Sequence, residues 1–392
     1  MTRPVGAERL APLRLLVVDA RVPTPNRDGG SLRMVHLCQM LLARSVDVVL
    51  ASSHPQSFPP FDTTLADDSA RLTAMGVRLP SGGDDVEAHL ARHGRDYDVV
   101  LMSGAFVASR HLSTARRFAP QATLVFDTID LHFLREFRAA KLTGNVPRLQ
   151  HALALKRIEL GLARAADVTV VVSEHEQELL RAEVPQASVL LLPNIHARVD
   201  ASAPLAGRRD LMFLGAFTHD PNADAMAWFV RHVLPALRLA APGLGLRIVG
   251  ADPTPGVRAL ACDHVVVTGY VDNLAPEFDR ARAFVAPLRF GAGIKGKLLL
   301  SLAHGLPVVA SPIAAEGIPL VDGRDVLVAR TVDDWVHAVT HLLADDAAWT
   351  AQSAAGREVL NGHYSFEAAS RHVDALLARI RRRRADASEG FA

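Results

Sequence analysis

Twelve short apolar runs, separated by segments of helical character, constrain the fold of this 392-residue chain more than any other feature. Such runs suit strands that are buried on both faces, and their alternation with helices is typical of parallel sheets covered by helices on both sides. The runs are residues 13–20, 46–52, 98–103, 123–127, 168–173 and 189–193 in the first half, and residues 211–215, 246–249, 264–268, 283–287, 307–310 and 326–329 in the second. The sequence therefore predicts an α/β protein with two doubly wound parallel sheets.

The two sets of runs predict two Rossmann-like domains, because a chain of this length exceeds what one core usually supports. We expect the first domain at residues 1–195 and the second at residues 210–365. Residues 196–209 lack periodicity and are rich in Ala and Pro, so they are expected to be the linker. Ligands of open parallel sheets bind beyond the carboxyl ends of the strands, so two facing sheets make one site in an inter-domain cleft.

Composition narrows the class of partner. The 43 Lys and Arg residues balance 42 Asp and Glu residues, which argues against a nucleic-acid-binding protein and favours a small-molecule ligand. Cys38 and Cys262 are far apart and outside any C-x-x-C spacing, which argues against disulfides and cysteine metal sites and fits a reducing cytoplasm. Charged side chains interrupt residues 1–20, so no secretory segment or membrane span is expected there.

The C-terminal segment, residues 366–392, departs from this charge balance. Arg379 and residues 381–384 form a basic cluster directly after a run of apolar positions. We favour a solvated helix end, and the alternative is a patch that attracts anionic lipid headgroups. The protein is accordingly expected in the cytoplasm, with peripheral contact at the inner membrane face as the alternative.

Residues 281–311 predict a phosphate-binding turn between a strand and a helix. Glycines let the backbone approach a ligand closely, and the helix beginning near Lys297 presents unpaired N–H groups to the same place. Cationic side chains add charge where a diphosphate would lie. The glycines are Gly291, Gly293 and Gly296, and the cations are Arg289, Lys295 and Lys297. Glycines and cations interleaved in this way favour anion binding over an ordinary turn.

Two strand ends of the first domain carry further candidates. Gly29 and Gly30 predict a flexible turn before a helix that Ser31 caps, which is either a second phosphate contact or a plain strand-to-helix turn. After the run at 123–127, Asp130 and His132 lie together among other charged residues. Such a histidine orients hydroxyls, acts as an acid or base, or satisfies a buried network, and we favour a functional role.

In the second domain, Gly215 follows the run at 211–215 and permits close backbone approach, while Asn222 is a candidate cap of the next helix. Residues 269–272 are a candidate flank for a base or ribose, although an ordinary loop is favoured there. Glu316 follows the run at 307–310 and either accepts hydrogen bonds from sugar hydroxyls or is a solvated loop residue.

Together these segments resemble glycosyltransferase family 4, the retaining sugar-nucleotide transferases of the GT-B fold, over nearly the whole chain. The segments are the GG turn at 29–30, VTVVVSEHE at 168–176, LPN at 192–194, FLGAF at 213–217, GYVDNL at 269–274, and RFGAGIKGK at 289–297 followed by HGLPVVAS at 304–311. The order and spacing of the segments carry the resemblance, and the glycine-rich loop matches the GAGxKGK subtype.

The resemblance implies a hexosyl or related sugar transfer from a nucleotide-diphosphate sugar, with retention of configuration and without an obligatory metal or other cofactor. It places the donor on the second domain and a small-molecule, glycan or lipid-linked acceptor on the first, and it suggests that the last helix crosses back to the first domain. Asp130 and His132 are assigned to catalysis on the sugar or acceptor side. The donor-binding residues are expected to be Gly29, Gly30, Gly215, Arg289, Gly291, Gly293, Lys295, Lys297 and Glu316.

One pair of positions departs from the family pattern. Family members often carry two glutamates separated by seven residues, the first near the donor sugar and the second on the nucleotide ribose. Counted back from Gly305, these positions hold Ala292 and Leu300 in this chain. A leucine cannot accept hydrogen bonds from ribose hydroxyls, and an unpaired buried polar group costs about 1–3 kcal/mol. The alternative function is therefore a catalytically silent GT-B protein that binds a sugar nucleotide or a partner enzyme.

Overall fold

The computed structural model describes residues 12–54, 65–80, 85–199 and 203–389. Within these ranges the chain forms two six-stranded sheets, and every strand pair in them is parallel. The predicted fold of two α/β domains is thereby confirmed. The prediction made for the N-terminal segment lies mostly outside the described residues, as do positions 200–202 of the predicted linker and positions 390–392 of the tail.

The first sheet has the strand order β2-β1-β3-β4-β5-β6, with helices on both faces. Its strands are β1 (Arg14–Asp19), β2 (Asp47–Ser52), β3 (Val99–Ser103), β4 (Thr123–Asp127), β5 (Val168–Val171) and β6 (Val189–Leu191). Its helices are α1 (Gly29–Leu42), α2 (Leu65–Met75), α3 (Val86–His93), α4 (Ala105–Phe118), α5 (His132–Thr143), α6 (Val146–Ala165) and α7 (Glu174–Glu183).

The second sheet has the order β12-β11-β10-β7-β8-β9. Its strands are β7 (Asp210–Leu214), β8 (Leu246–Val249), β9 (Val265–Gly269), β10 (Ala281–Ala286), β11 (Val308–Ala310) and β12 (Leu327–Val328). Its helices are α8 (Asp220–Trp228), α9 (Leu234–Ala240), α10 (Pro255–Arg258), α11 (Ala275–Arg280), α12 (Gly296–Ala303), α13 (Pro312–Ala315), α14 (Val332–Ala344) and α15 (Asp346–His363). The chain then ends in α16 (Phe366–Glu389).

Each predicted apolar run overlaps one observed strand, and their ends differ by at most two residues. The run at 168–173 shows why, because β5 stops at Val171 and Ser173 then caps α7 by accepting from the Glu176 N–H. A hydroxyl side chain that can satisfy a free helical N–H favours the helix start over a longer strand. Between β6 and β7, the described residues form neither helix nor strand.

The strands of the first sheet are buried on both faces, as the short apolar runs require. In β1, Leu15 and Val17 belong to one hydrophobic cluster, whereas Leu16 and Val18 belong to another on the opposite face. This alternation follows from the two-residue period of a strand. The second domain has a larger cluster of its own, with Trp335 of α14 among its most buried side chains.

Helix α16 packs on the first domain, although it follows the second domain in sequence. Its apolar positions share a cluster with the first sheet and with α1. They are Ala369, Val373, Leu376, Leu377 and Ile380, each buried. The helix continues through the basic tail, where Arg383 contacts Asp167 at 2.6 Å and Arg384 contacts Asp98 at 3.1 Å. Two arginines of the basic tail therefore form ion pairs with the first domain. Contact of the tail with lipid stays a prediction.

Within the described part of the chain, no helix combines the length and apolar character that a membrane crossing needs.

Candidate functional site

A cavity of about 340 Å³ lies between the carboxyl ends of the two sheets. Segments that follow β1, β4 and β6 form its first-domain wall, and segments that follow β7, β8, β9 and β10 form its second-domain wall. This is the edge where ligands of open parallel sheets bind. Its volume is in the range of small-molecule sites.

The glycine-rich loop between β10 and α12 forms one wall of this cavity. Helix α12 begins at Gly296, one residue before the predicted start, so the first N–H groups of the helix face the same region as the loop. Gly293 has a φ of +63°, which other residues rarely adopt. A Cβ at Gly293 would lie 2.7 Å from the Cβ of Asp130. The loop thus lies against the first domain at a position where only glycine fits.

Two buried lysines supply positive charge to this loop. The Lys295 Nζ donates to the Gly293 carbonyl oxygen at 2.8 Å, which closes the loop on itself. The Lys297 Nζ donates to the Asn222 side chain and lies 4.4 Å from the centre of the Phe213 ring. Burial lowers the pKa of Lys297 to about 7 and that of Lys295 to about 8. An anion in the cavity would raise both pKa values again, because an opposite charge favours the protonated form.

The segment after β7 lies beside Lys297. A Cβ at Gly215 would lie 2.6 Å from the Asn222 amide nitrogen and 2.8 Å from the Lys297 Nζ, so a side chain there would displace both groups. Asn222 does not cap α8 as expected. It lies inside that helix, which begins at Asp220, and its side chain donates to the Ala216 carbonyl at 2.7 Å. The amide therefore positions the lysine.

On the first-domain side, the GG segment is the first turn of α1 and not a flexible turn. The expected cap was Ser31, but Asp28 takes this role, and its carboxylate accepts from the Ser31 N–H and hydroxyl, both at 2.8 Å. A carboxylate is a good acceptor for free helical N–H groups. Gly29 and Gly30 line the cavity, so the predicted approach of backbone N–H groups to a ligand remains compatible with the structure.

Asp130 and His132 form an ion pair at the start of α5, with 2.8 Å between Oδ1 and Nε2. Glu159 of α6 accepts from the backbone N–H groups of His132 and Phe133 at 2.9 and 3.1 Å, which fixes the helix start. Burial alone lowers the pKa of His132, but Asp130 outweighs it and raises the pKa above its ordinary value. Burial raises the pKa of Asp130, and His132 with Arg135 brings it down to about 2. Each partner therefore favours the charged form of the other.

The structure brings most of the predicted site residues to one cavity. Its wall contains Gly29, Gly30, Asp130, Gly215, Gly291, Gly293, Lys295 and Lys297, with His132 bonded to Asp130 behind it.

Arg289 and Glu316 are not among the residues that line the cavity. Arg289 donates to Asp224 at 2.8 Å within the second domain. Both carboxylate oxygens of Glu316 accept from Arg138 of the first domain at 2.7 and 2.8 Å. In each case an ion pair engages the side chain that was expected to meet the ligand, and the donor contact stays a prediction.

The cavity also contains residues that were not predicted as site residues, among them Asn194, His196 and His219. Asn194 and His196 come from the chain after β6, and their side-chain nitrogens lie 3.8 and 3.9 Å from where a Gly296 Cβ would be. His219 lines the cavity just before α8, and burial lowers its pKa to about 4. The sequence could have indicated Asn194 and His219 as site residues, because each follows a strand of the predicted sheets by only a few residues.

Leu300, which occupies the usual glutamate position, lines the same cavity from α12. The cavity lining also includes the apolar residues Leu214, Val271 and Leu274. In the ranges that the structure describes, no three His, Cys, Asp or Glu side chains gather as a metal site would require.

Two parallel-sheet domains that face each other across a cleft are the architecture of the GT-B fold. Residues 208–345 match the family model described as Glycosyl transferases group 1. The second domain is therefore a glycosyltransferase domain, and the chain as a whole has the GT-B fold. No curated protein matches the sequence.

Solved structures extend the likeness of fold to nearly the whole chain. Sucrose-phosphate synthase from Thermosynechococcus elongatus is 16% identical, with 94% of this chain and 99% of that one covered and a TM-score of 0.70. Anabaena HepE in complex with UDP and glucose is 12% identical, with 93% and 99% covered and a TM-score of 0.71. A glycosyltransferase from Rickettsia africae is 11% identical, with 95% and 99% covered and a TM-score of 0.67.

Proposed function

We propose that this protein transfers a sugar from a nucleotide-diphosphate sugar to an acceptor, with retention of anomeric configuration and without a metal ion. The observation that carries the proposal is the contact between the loop at Gly293 and Asp130, which brings the anion-binding region against the charged pair of Asp130 and His132. Among proteins of similar fold, HepE has been solved with UDP-glucose, so a UDP-hexose is the donor class to test first.

In this proposal the donor diphosphate lies on the glycine-rich loop. The N–H groups at the start of α12 and the ammonium groups of Lys295 and Lys297 meet the charge that develops as the bond to the sugar breaks. These groups are fixed before the reaction by Gly293 and Asn222, so little reorganisation accompanies charge development. In this proposal, the second domain contributes the stabilisation of the leaving group.

The acceptor is expected on the first-domain side, beside Asp130. The ion pair holds the His132 ring, and Asp130 raises the pKa of that ring, which favours its protonated form. Because the His132 Nε2 already meets Asp130, which lines the cavity, we assign the pair as a unit the role of orienting a donor-sugar or acceptor hydroxyl. Contact between the domains excludes water from the reacting centre, which favours transfer over hydrolysis.

The first test is transfer and donor hydrolysis with a panel of nucleotide sugars, followed by NMR assignment of the product anomer. With an active donor, His132→Ala is expected to lower turnover by about 10²-fold or more while UDP affinity changes little. His151→Ala, at an exposed position of α6, is a matched control that should leave both unchanged. Activity should survive EDTA.

Full turnover in His132→Ala would assign His132 to the structural core. No detectable activity with any donor, together with measurable nucleotide binding, would favour the catalytically silent alternative.

A further inference from the structure

Arg138 of α5 joins the two domains directly at the glycine-rich loop. Its Nη1 donates to the Gly291 carbonyl oxygen at 2.8 Å and to Glu316 Oε1 at 2.7 Å, while its Nη2 donates to Glu316 Oε2 at 2.8 Å. The guanidinium thus engages both carboxylate oxygens in a fork and still reaches a backbone carbonyl. All three bonds run from the first domain to the second.

The partners of Arg138 belong to two different loops of the second domain. Gly291 lies at the start of the loop between β10 and α12, the loop that faces the cavity. Glu316 lies directly after α13, in the segment that follows β11. One side chain therefore ties two neighbouring strand ends to each other and to α5.

Helix α5 also carries the charged pair at its other end. His132 is its first residue, and Arg138 lies under two turns later on the same helix. The buried residues Ala139 and Ala140 and close packing against α6 hold this helix to the first domain. The spacing between the charged pair and the glycine-rich loop is consequently set by one rigid element.

The ion pair between Arg138 and Glu316 is charged across the usual working range of pH. Burial raises the pKa of Glu316, but the hydrogen bonds and charge of Arg138 together with Lys295 and His175 lower it overall. Both partners are only about a fifth exposed, 21% for Arg138 and 23% for Glu316. A bidentate ion pair that is largely shielded from solvent is stronger than an exposed one.

We propose that Arg138 is a positioning residue that makes the shape of the diphosphate-binding loop depend on contact between the domains. The inference rests on the proposed function, in which that loop binds the donor. The Gly291 carbonyl is held by Arg138 only while the first domain is in place, so the loop reaches its binding shape when the domains meet. Nucleotide affinity, a property of the second domain, then depends on a side chain of the first.

The test compares wild type, Arg138→Ala, Arg138→Lys and Glu316→Gln by small-angle scattering and by calorimetry with UDP. We expect Arg138→Ala to increase the radius of gyration with UDP present and to raise the UDP Kd about tenfold or more. Arg138→Lys should recover part of the affinity, because an ammonium group keeps the charge but cannot make the fork. Donor KM should rise while kcat stays within about threefold, since the chemical groups are intact.

The control is Arg247→Ala, which breaks an ion pair with Glu277 inside the second domain and should leave the radius of gyration and the UDP Kd unchanged. Unaltered UDP affinity and unaltered dimensions in Arg138→Ala would overturn the proposal. If wild type binds no nucleoside diphosphate, the proposed function fails, and the scattering comparison without ligand still decides whether Arg138 holds the domains together.

Discussion

Lys297 is a buried ammonium group whose neighbours in the cavity are an amide and an aromatic ring. Asn222 accepts its hydrogen bond and Phe213 lies under it. Neither partner is anionic, so burial is not offset and the pKa falls to about 7. The same burial makes a bound diphosphate a strong partner for the charged form, because the local dielectric is low.

Binding of UDP is therefore expected to take up protons above about pH 7. The free lysine has the lowered pKa of about 7, and the diphosphate raises it, so affinity is greatest below pH 7 and falls as the pH rises through the free value. Calorimetry in two buffers of different ionisation enthalpy measures the uptake directly.

Lys297→Arg is the matched variant, since a guanidinium stays charged throughout this range. It should bind UDP with less proton uptake, the remainder belonging to Lys295, whose pKa is lowered to about 8. Equal uptake in wild type and Lys297→Arg would show that the Lys297 proton is not coupled to the ligand.

Leu300 is the second residue whose substitution is expected to change nucleotide binding in the cavity. Leu300→Glu is expected to strengthen UDP binding and to do so more for UDP than for its 2′-deoxy analogue, because a carboxylate there would accept from the ribose hydroxyls. The measurement is calorimetry with both nucleotides, with thermal unfolding to detect damage from a buried carboxylate. Leu300→Gln controls for the added charge. A folded Leu300→Glu that binds both nucleotides as weakly as wild type would place the ribose elsewhere.

At the scale of elements, the glycine-rich loop between β10 and α12 requires glycine at position 293 for two reasons, its backbone conformation and the lack of space for a side chain. Gly293 has a positive φ and lies against Asp130 of the other domain. Gly293→Ala is expected to lower UDP affinity about tenfold and to reduce the melting temperature, because strain of this kind costs about 1–3 kcal/mol and the added methyl group presses on the domain contact. UDP calorimetry and thermal unfolding measure the two effects.

Gly161 is a comparison position, at which alanine is expected to stabilise the protein and not to destabilise it. It lies inside α6 at helical geometry, and a Cβ there meets no atom within 4 Å. Gly161→Ala is expected to raise the free energy of unfolding by about 0.4–1 kcal/mol and to leave UDP affinity unchanged. If Gly293→Ala behaves like Gly161→Ala in both measurements, the loop does not depend on the conformation at Gly293.

The elements themselves were predictable, because their signals are local. Apolar run length predicted the strands, and glycines with cations predicted the loop before α12. Caps were less predictable, since Asp28 and Ser31 are both good caps and only the geometry at the end of β1 decides between them. The contacts that shape the site were not predictable, because Arg138 and Glu316 are 178 residues apart and nothing in the local pattern pairs them.

At the scale of the whole molecule, α16 makes the stability of the first domain depend on the end of the chain. Leu377 is 2% exposed and lies in the first-domain cluster with Leu37 and Leu41 of α1. Leu377→Ala is expected to lower the free energy of unfolding by about 2–5 kcal/mol, as buried leucine truncations do. Chemical denaturation measures the loss. Arg382→Ala, at an exposed position of the same helix, should cost less than about 0.5 kcal/mol. Equal stability of the two variants would contradict the packing role of α16.

This packing also sets the order in which the protein is completed on the ribosome. The first domain emerges with the surface that α16 will cover still open, and the whole second domain must be translated before that cover exists. At roughly 5–20 residues per second, the interval is on the order of ten seconds or longer. During that time the apolar surface beside α1 stays uncovered, so the first-domain core is complete only after α16 has been made.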